Sequence, residues 1–561
     1  MNVETRDGLV LEVAGRELTD GLVVAQPHRR RDQYLYAVPA VLLIALLVVP
    51  MVWTFGWALD ADVPVVGNFR ALFTDPVALR SAWHSLLWVG IALVLIGFGY
   101  CVAVLSRQLG RLWRVLLYVL ILPFGVSAVV SGAVFRLIFD PTPERGMATA
   151  LFGGNVTWLG PDLIWWVLAS AFAWSWLGFI VVLFRAGLDS AGGATFRLWR
   201  FVLPKAGSVT AIVVLTVLVA AIRVFDLVLI VAPGSIQDDV DIVGLHWWRM
   251  TLRSADTGGP SALAVLLFAV VAVLSLAGMR AMRRGDGAKA VPLSIESIDD
   301  SRPARWWSWP LVGGVGLLWI MPVLVLVLTA FHSPESAGSV GWWRFDPFSL
   351  DSFAATGATW LWPAVAGSFL IAGLAAALVL VAAVPLAYLL TWVAPRRLAR
   401  VVTGLLAILA VAPVQMYVGP LRAVFTDLGL AGGRAPLALV HAAAGLPFAT
   451  LVLRTAFLAA PARDGRPALD GMWRRGPYRT ALIAAGVLEF VLVWNDFIVG
   501  FLISGSGSGP LTRLPWGEAR QFGTSAGTVA AAAVVSAVVP VVLLLATWRR
   551  VVVGLTGGIG R

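Results

Sequence analysis

The residues of this 561-residue chain best placed to do chemistry lie inside or beside long apolar runs. Asp226 follows Phe225 directly, with Arg223 a turn earlier. Far along the chain, Asn495-Asp496 follows Trp494, with Glu489 one to two turns before it. An ionisable side chain in an apolar span is costly, so it reads as a functional group by default. The same residues also suit a structural ion pair or a helix-end group near the interface, and both readings stay open. Asn495 needs a partner wherever lipid surrounds it, so it serves either a polar path or interhelical bonding.

Other chemistries find no support. No G-x-x-x-x-G-K-[ST] loop occurs, and the two lysines, Lys205 and Lys289, sit in no phosphate-cradling sequence. If ATP drives any process here, another polypeptide must hydrolyse it. Cys101 is the single cysteine, which excludes an intrachain disulfide and a cysteine-based metal site. The five histidines show no ligand spacing, and serine, histidine and carboxylates form no recognisable nucleophilic set. The chain therefore reads as a non-enzyme that binds no metal or cofactor of its own.

The elements that must position these residues are membrane helices. The composition is 59% hydrophobic and 13% charged, against about 25% charged in soluble domains. Lipid offers backbone groups no water, so each long apolar run must be a helix of about 20 residues. The runs lie near 34–58, 84–106, 114–138, 163–185, 207–232 and 261–283, then 307–331, 363–393, 400–426, 435–458, 480–503 and 525–548. The expected fold is all-α and polytopic, with about 12 transmembrane helices in two six-helix repeats. The division reads as a tail over 1–33, a first half over 34–283, a charged linker over 284–306 and a second half over 307–561. The first apolar run is too long for a cleavable signal, so it reads as an uncleaved span. Several tryptophans in the fourth run suit the membrane interface.

The net charge of +11 points to orientation rather than to nucleic acid. Most arginines fall in the N-terminal tail and in alternate loops, including Arg107/Arg111/Arg114, Arg185–Lys205, Arg280–Arg305, Arg396/Arg397/Arg400, Arg454–Arg479 and Arg549/Arg550. Those segments then face the cytoplasm, with both termini inside. The halves become parallel repeats about an axis along the membrane normal, with a binding site near their interface.

Motifs in both halves carry a family resemblance. In the first are Gly67-Asn68-Phe69-Arg70, Leu122-Pro123-Phe124, Val134-Phe135-Arg136 through Asp140-Pro141, Trp174-Ser175-Trp176-Leu177-Gly178 and Arg223-Val224-Phe225-Asp226. In the second are Leu428-Gly429-Leu430, Leu446-Pro447-Phe448, Leu453-Arg454-Thr455-Ala456-Phe457, Trp494-Asn495-Asp496-Phe497 and the tail from Arg549-Arg550 to Gly557-Gly558. In this order, over most of 34–561, they resemble the permeases of carbohydrate-uptake ABC importers of the maltose/oligosaccharide, binding-protein-dependent type. Two permease subunits look fused in one chain.

The resemblance implies a multi-pass protein of the plasma (inner) membrane that moves a sugar or oligosaccharide into the cytoplasm. Its implied partners are an ABC ATPase dimer that binds the ATP, an extracytoplasmic solute-binding protein, the sugar and membrane lipid. Sugars stack on aromatic faces and bind planar polar groups, so the implied pathway residues are Trp174, Trp176, Phe225, Asp226, Trp494, Asn495 and Asp496. Helix packing is the alternative role for each aromatic. The family's ATPase-coupling loops match Asp189, Gly192, Arg197, Leu203 and Pro204, and then Asp470, Gly471 and Arg474. Both copies are shortened: the first keeps the Leu-Pro exit without the Glu-Ala-Ala start, the second keeps Asp-Gly without the Leu-Pro. Gly192-Gly193 disfavours helix by about 1 kcal/mol per glycine. These losses motivate two alternatives: a non-transporting membrane scaffold or regulator, and, from Asp226, Glu489 and Asp496, an ion-coupled carrier.

Overall fold

The computed structural model describes residues 33–60, 66–153, 156–190, 207–253, 257–285, 305–338, 348–356, 361–459, 476–504, 509–513 and 526–556. The described residues fold almost entirely into helices. In the N-terminal half these are α1 (Val38–Leu59), α2 (Gly67–Thr74), α3 (Pro76–Ser106), α4 (Trp113–Ile121), α5 (Ala128–Ile138), α6 (Met147–Phe152), α7 (Ile164–Ser190), α8 (Gly207–Ile222), α9 (Asp226–Val231), α10 (Val243–Arg253) and α11 (Gly258–Gly285). The C-terminal half has α12 (Ser308–Ala330), α13 (Asp351–Thr356), α14 (Trp362–Tyr388), α15 (Arg396–Leu409), α16 (Val418–Asp427), α17 (Arg434–Ala459), α18 (Gly476–Asn495), α19 (Ile498–Ile503) and α20 (Ala526–Thr556).

Among the described residues nine helices are long and apolar enough to cross a bilayer, and one bent pair adds a tenth at most. The 22 residues of α1 extend about 33 Å, enough for the hydrocarbon core. Its exposed face carries Val41, Leu42, Val49 and Val52, as a lipid-facing helix requires. Local chemistry sets where helices start. Asp75 caps α3 by accepting from the Val77 amide at 2.9 Å, and Pro76 occupies the first turn.

The structure corrects the reading of four runs as continuous helices. The run at 114–138 breaks at Leu122–Gly125, and its two parts meet at 104°. Pro123 cannot donate to the preceding turn, and Ser127 caps the next helix through the Val130 amide. Its counterpart at 400–426 breaks before Pro413, with α15 and α16 on either side. The run at 207–232 breaks over Arg223–Phe225, and the run at 480–503 at Asp496-Phe497. Each half thus carries two interrupted spans in corresponding places.

An interrupted span frees backbone carbonyls that lipid cannot satisfy. Side chains from elsewhere take up that role. Asn495 Nδ2 donates to the Gly125 carbonyl at 3.0 Å, and Thr54 Oγ1 donates to the Met416 carbonyl at 2.7 Å. Both bonds cross from one half to the other. Arg136 Nη1 donates to the Ile230 carbonyl at 3.2 Å within the N-terminal half.

The first helices of the two halves also reach across. Helix α1 packs on α14, α16 and α17, and α12 packs on α4 and α5. Trp174 Nε1 donates to the Trp319 carbonyl at 2.9 Å, tying α7 to α12. The helices of both halves therefore share a continuous buried core.

Candidate functional site

The two interrupted fifth spans bring Asp226 and Asp496 toward each other. Asp226 opens α9 after the Arg223–Phe225 break, and Asp496 follows the last residue of α18. The two carboxylates lie within electrostatic reach, as do Arg223 and Asp496. Asp226 Oδ1 is buried with no hydrogen-bond partner among the described residues. Asp496 is better held. Its Oδ2 accepts from the Gly500 amide at 3.0 Å, and its main-chain oxygen accepts from Thr512 Oγ1 at 2.6 Å.

Two residues join this pair without any signal in the sequence. His441 of α17 places Nε2 3.8 Å from Asp496 Oδ2, beyond hydrogen-bond range but close enough to pair charges when protonated. Tyr417, between the turn after Pro413 and α16, is buried within electrostatic reach of Arg223 and Asp496. A lone histidine and tyrosine in apolar runs give no spacing pattern, so only helix packing finds them.

The remaining sequence-derived candidates divide by geometry. Phe225 is buried beside the first break and meets Trp248 at 6.1 Å between ring centroids. Asn495 spans the halves through Gly125, while its Oδ1 is buried without a partner among the described residues. Trp176 is half-buried in an aromatic group with Phe124, Phe172 and Phe179, next to the Pro123 break. Trp174 is buried against Phe135, and its indole is satisfied by Trp319. Trp494 is buried between Phe369 and Phe490, with Nε1 donating to the Ser536 carbonyl at 2.9 Å. The last two are thus engaged in helix packing through both ring and indole N–H. Glu489 is buried one to two turns before Asp496, against Gly445 of α17, where a methyl group would displace its carboxylate.

Of the coupling residues, Gly192, Arg197, Leu203, Pro204, Asp470, Gly471 and Arg474 lie outside the described residues. Asp189 is described only as backbone near the end of α7. Among the described residues no His/Cys/Asp/Glu group has metal-site geometry.

No protein-family model matches the chain. Curated proteins do. The osmoprotective compounds uptake permease protein GgtD of Synechocystis is 26% identical over 295 residues, covering 48% of this chain and 98% of GgtD. GgtC of the same organism, with the same described role, is 21% identical over 273 residues, 44% of this chain and 97% of GgtC. The alpha-glucoside transport system permease protein AglF of Rhizobium meliloti is 23% identical over 284 residues, 45% of this chain and 83% of AglF. Each relative spans most of its own length on less than half of this chain. In kinship and in length the chain resembles two permease subunits of sugar ABC transporters joined in one polypeptide, a multi-pass membrane transporter rather than an enzyme.

Proposed function

We propose that the chain is the membrane permease of an ABC importer that moves a sugar or oligosaccharide into the cytoplasm. The observation that carries this reading is the seam between the halves. Four interrupted spans meet there, and they bring the carboxylates of Asp226 and Asp496 together with the Asn495 amide. Irregular backbone at membrane depth is tolerated where it lines a path or is buried in protein. Arg223 is exposed beside this group, and a guanidinium in mid-span faces water rather than lipid. A hydroxyl-rich solute needs donors and acceptors of this kind.

In this reading both termini face the cytoplasm, and the halves run over 34–283 and 307–561, joined by the linker at 284–306. A separate ATPase dimer binds ATP and grips the loops near 186–204 and 459–479. An extracytoplasmic binding protein delivers the sugar to the opposite face. The solute path runs past Phe225, Asp226, Asn495 and Asp496, and Trp176 borders it beside the Pro123 break.

The test is uptake of radiolabelled maltose, trehalose and arabinotriose by cells lacking the chain and by cells in which it is restored. Restored uptake that stops on ATP depletion supports the importer. Uptake that survives ATP depletion and follows membrane potential points instead to the ion-coupled carrier. No restored uptake of any saccharide leaves the scaffold reading, motivated by the shortened loops.

Asn495→Ala gives a narrower expectation. It removes the Nδ2 donor to the Gly125 carbonyl. Interhelical bonds of this type contribute about 0.5–2 kcal/mol. The variant should insert normally, melt at lower temperature in detergent and transport more slowly than wild type. An unchanged melting temperature and rate would show that the bond is incidental.

A further inference from the structure

Helix α10 lies between the fifth and sixth apolar runs of the N-terminal half, and its two sides do different things. Its polar side is fixed in a charged cluster. Arg249 Nη1 lies 2.6 Å from Asp238 Oδ1 and 3.4 Å from Asp241 Oδ1, and His246 Nδ1 lies 3.4 Å from Asp241 Oδ2. The Val243 amide donates to Ser85 Oγ at 3.0 Å, which docks the helix start on α3. With that side anchored, the other side is held in one orientation over the first break. A methyl group on Gly244 would lie 3.6 Å from the Val224 carbonyl oxygen and 3.8 Å from Gln415 Nε2.

This anchored helix presents Trp248 to the seam. Trp248 is 8% exposed. Its ring centroid lies 6.1 Å from that of Phe225 in its own half and 6.1 Å from that of Phe501 in the other. Its Nε1–H is buried and has no hydrogen-bond partner among the described residues. Leaving such a donor unsatisfied costs about 1–3 kcal/mol, and buried tryptophans ordinarily find an acceptor. Trp88, Trp113, Trp158 and Trp319 also hold buried indole N–H groups without a partner among the described residues, and the ring contacts of Trp88, to Trp165 and Phe172, and of Trp158, to Phe139 and Phe152, stay within their own half. Trp248 instead touches both halves. Two further unpartnered buried atoms, Asp226 Oδ1 and Asn495 Oδ1, belong to the segments that meet at the same seam. One free donor and two free acceptors beside aromatic faces complement a pyranose, whose hydroxyls donate and accept and whose C–H face stacks.

We infer that Trp248 is a substrate-contacting residue of the seam, stacking on a pyranose ring of the passing saccharide and donating its Nε1–H to a sugar oxygen. This assignment rests on the importer reading above and adds the residue that selects for a ring sugar. The charged cluster of His246, Asp241 and Arg249 acts through Trp248 by fixing α10, so those three are positioning residues.

Trp248→Phe keeps the aromatic packing and removes the N–H. Uptake of radiolabelled maltose and trehalose is compared in cells carrying wild type or W248F at equal membrane levels. One lost hydrogen bond corresponds to about a tenfold slower uptake. In parallel, wild-type membranes are photolabelled with an aryl-diazirine derivative of maltose. Label is expected on the peptide spanning 243–253, displaced by excess unlabelled maltose. Wild-type rates in W248F overturn the assignment. Slowed uptake in W248F without label on 243–253 also overturns it, because Trp248 then only packs. If wild type moves none of maltose, trehalose and arabinotriose, the importer reading fails and takes this assignment with it, whereas wild-type uptake insensitive to W248F sinks this assignment alone.

Discussion

Asp496→Ala is expected to lower transport at least tenfold while the protein still reaches the membrane. Two structural ties end at this position. The side chain accepts from the Gly500 amide at 3.0 Å, which satisfies a donor in the short helix α19. It also faces His441, itself buried, at 3.8 Å. With His441 protonated, removing its partner leaves a buried charge unmatched, which costs about 3–5 kcal/mol. That cost falls on the interrupted span rather than on the long helices, so insertion survives and the geometry of the break does not. Asp496→Asn discriminates between charge and shape. Its amide oxygen can still accept from Gly500, so a variant that recovers most of the rate assigns the effect to the break's geometry. A rate as low as that of the alanine variant assigns it to the charge opposite Asp226 and His441. The reading fails if D496A transports like wild type, since the fifth-span break would then be a bystander. The check is the uptake rate normalised to chain content in purified membranes.

Gly178→Ala is expected to prevent a stable fold. Gly178 sits in α7 where that helix runs against α4, and an added Cβ would fall on the Leu120 carbonyl group, 2.6 Å from its carbon. The obstacle is backbone, which cannot turn aside as a side-chain end can. Glycine at such a crossing lets two helices approach closely in a membrane. Overpacking by one methyl ordinarily costs about 1–3 kcal/mol, and a backbone obstacle belongs at the top of that range or beyond. The strain also lands beside Trp176 and Phe179, which hold Phe124 at the Pro123 break. The variant should give little monodisperse protein on detergent extraction and a clearly lower thermal midpoint. Wild-type yield together with a wild-type midpoint would show that α7 and α4 adjust freely.

These two sites show what the sequence makes legible and what it hides. Long apolar runs announce membrane helices because lipid leaves the backbone no alternative. The match between Asp226 and Asp496 is also readable, since each follows an aromatic-containing motif at the same place in its half. The breaks themselves are not. Pro123 and Pro413 are visible as residues, but the runs around them stay apolar, so hydropathy averages across the interruption. Nor does any spacing disclose that Asn495 bonds to Gly125, 370 positions away. His441, Tyr417 and Trp248 become neighbours of the seam only through helix packing, and their types are equally common as ordinary core residues. The aromatics show the opposite mismatch. Trp174 and Trp494 stand out in sequence, yet each has its indole N–H bonded to a carbonyl and its ring enclosed by neighbours.

The crossing of α1 and α12 onto the opposite halves has a consequence for how such a fusion persists. Each half lends a wall to the compartment of the other, so neither is a sealed bundle that could drift away by itself. A single chain fixes ratio: one copy of each half, always made together. Asymmetry can then accumulate freely at the centre, with a histidine opposite one aspartate and an unmatched carboxylate oxygen on the other.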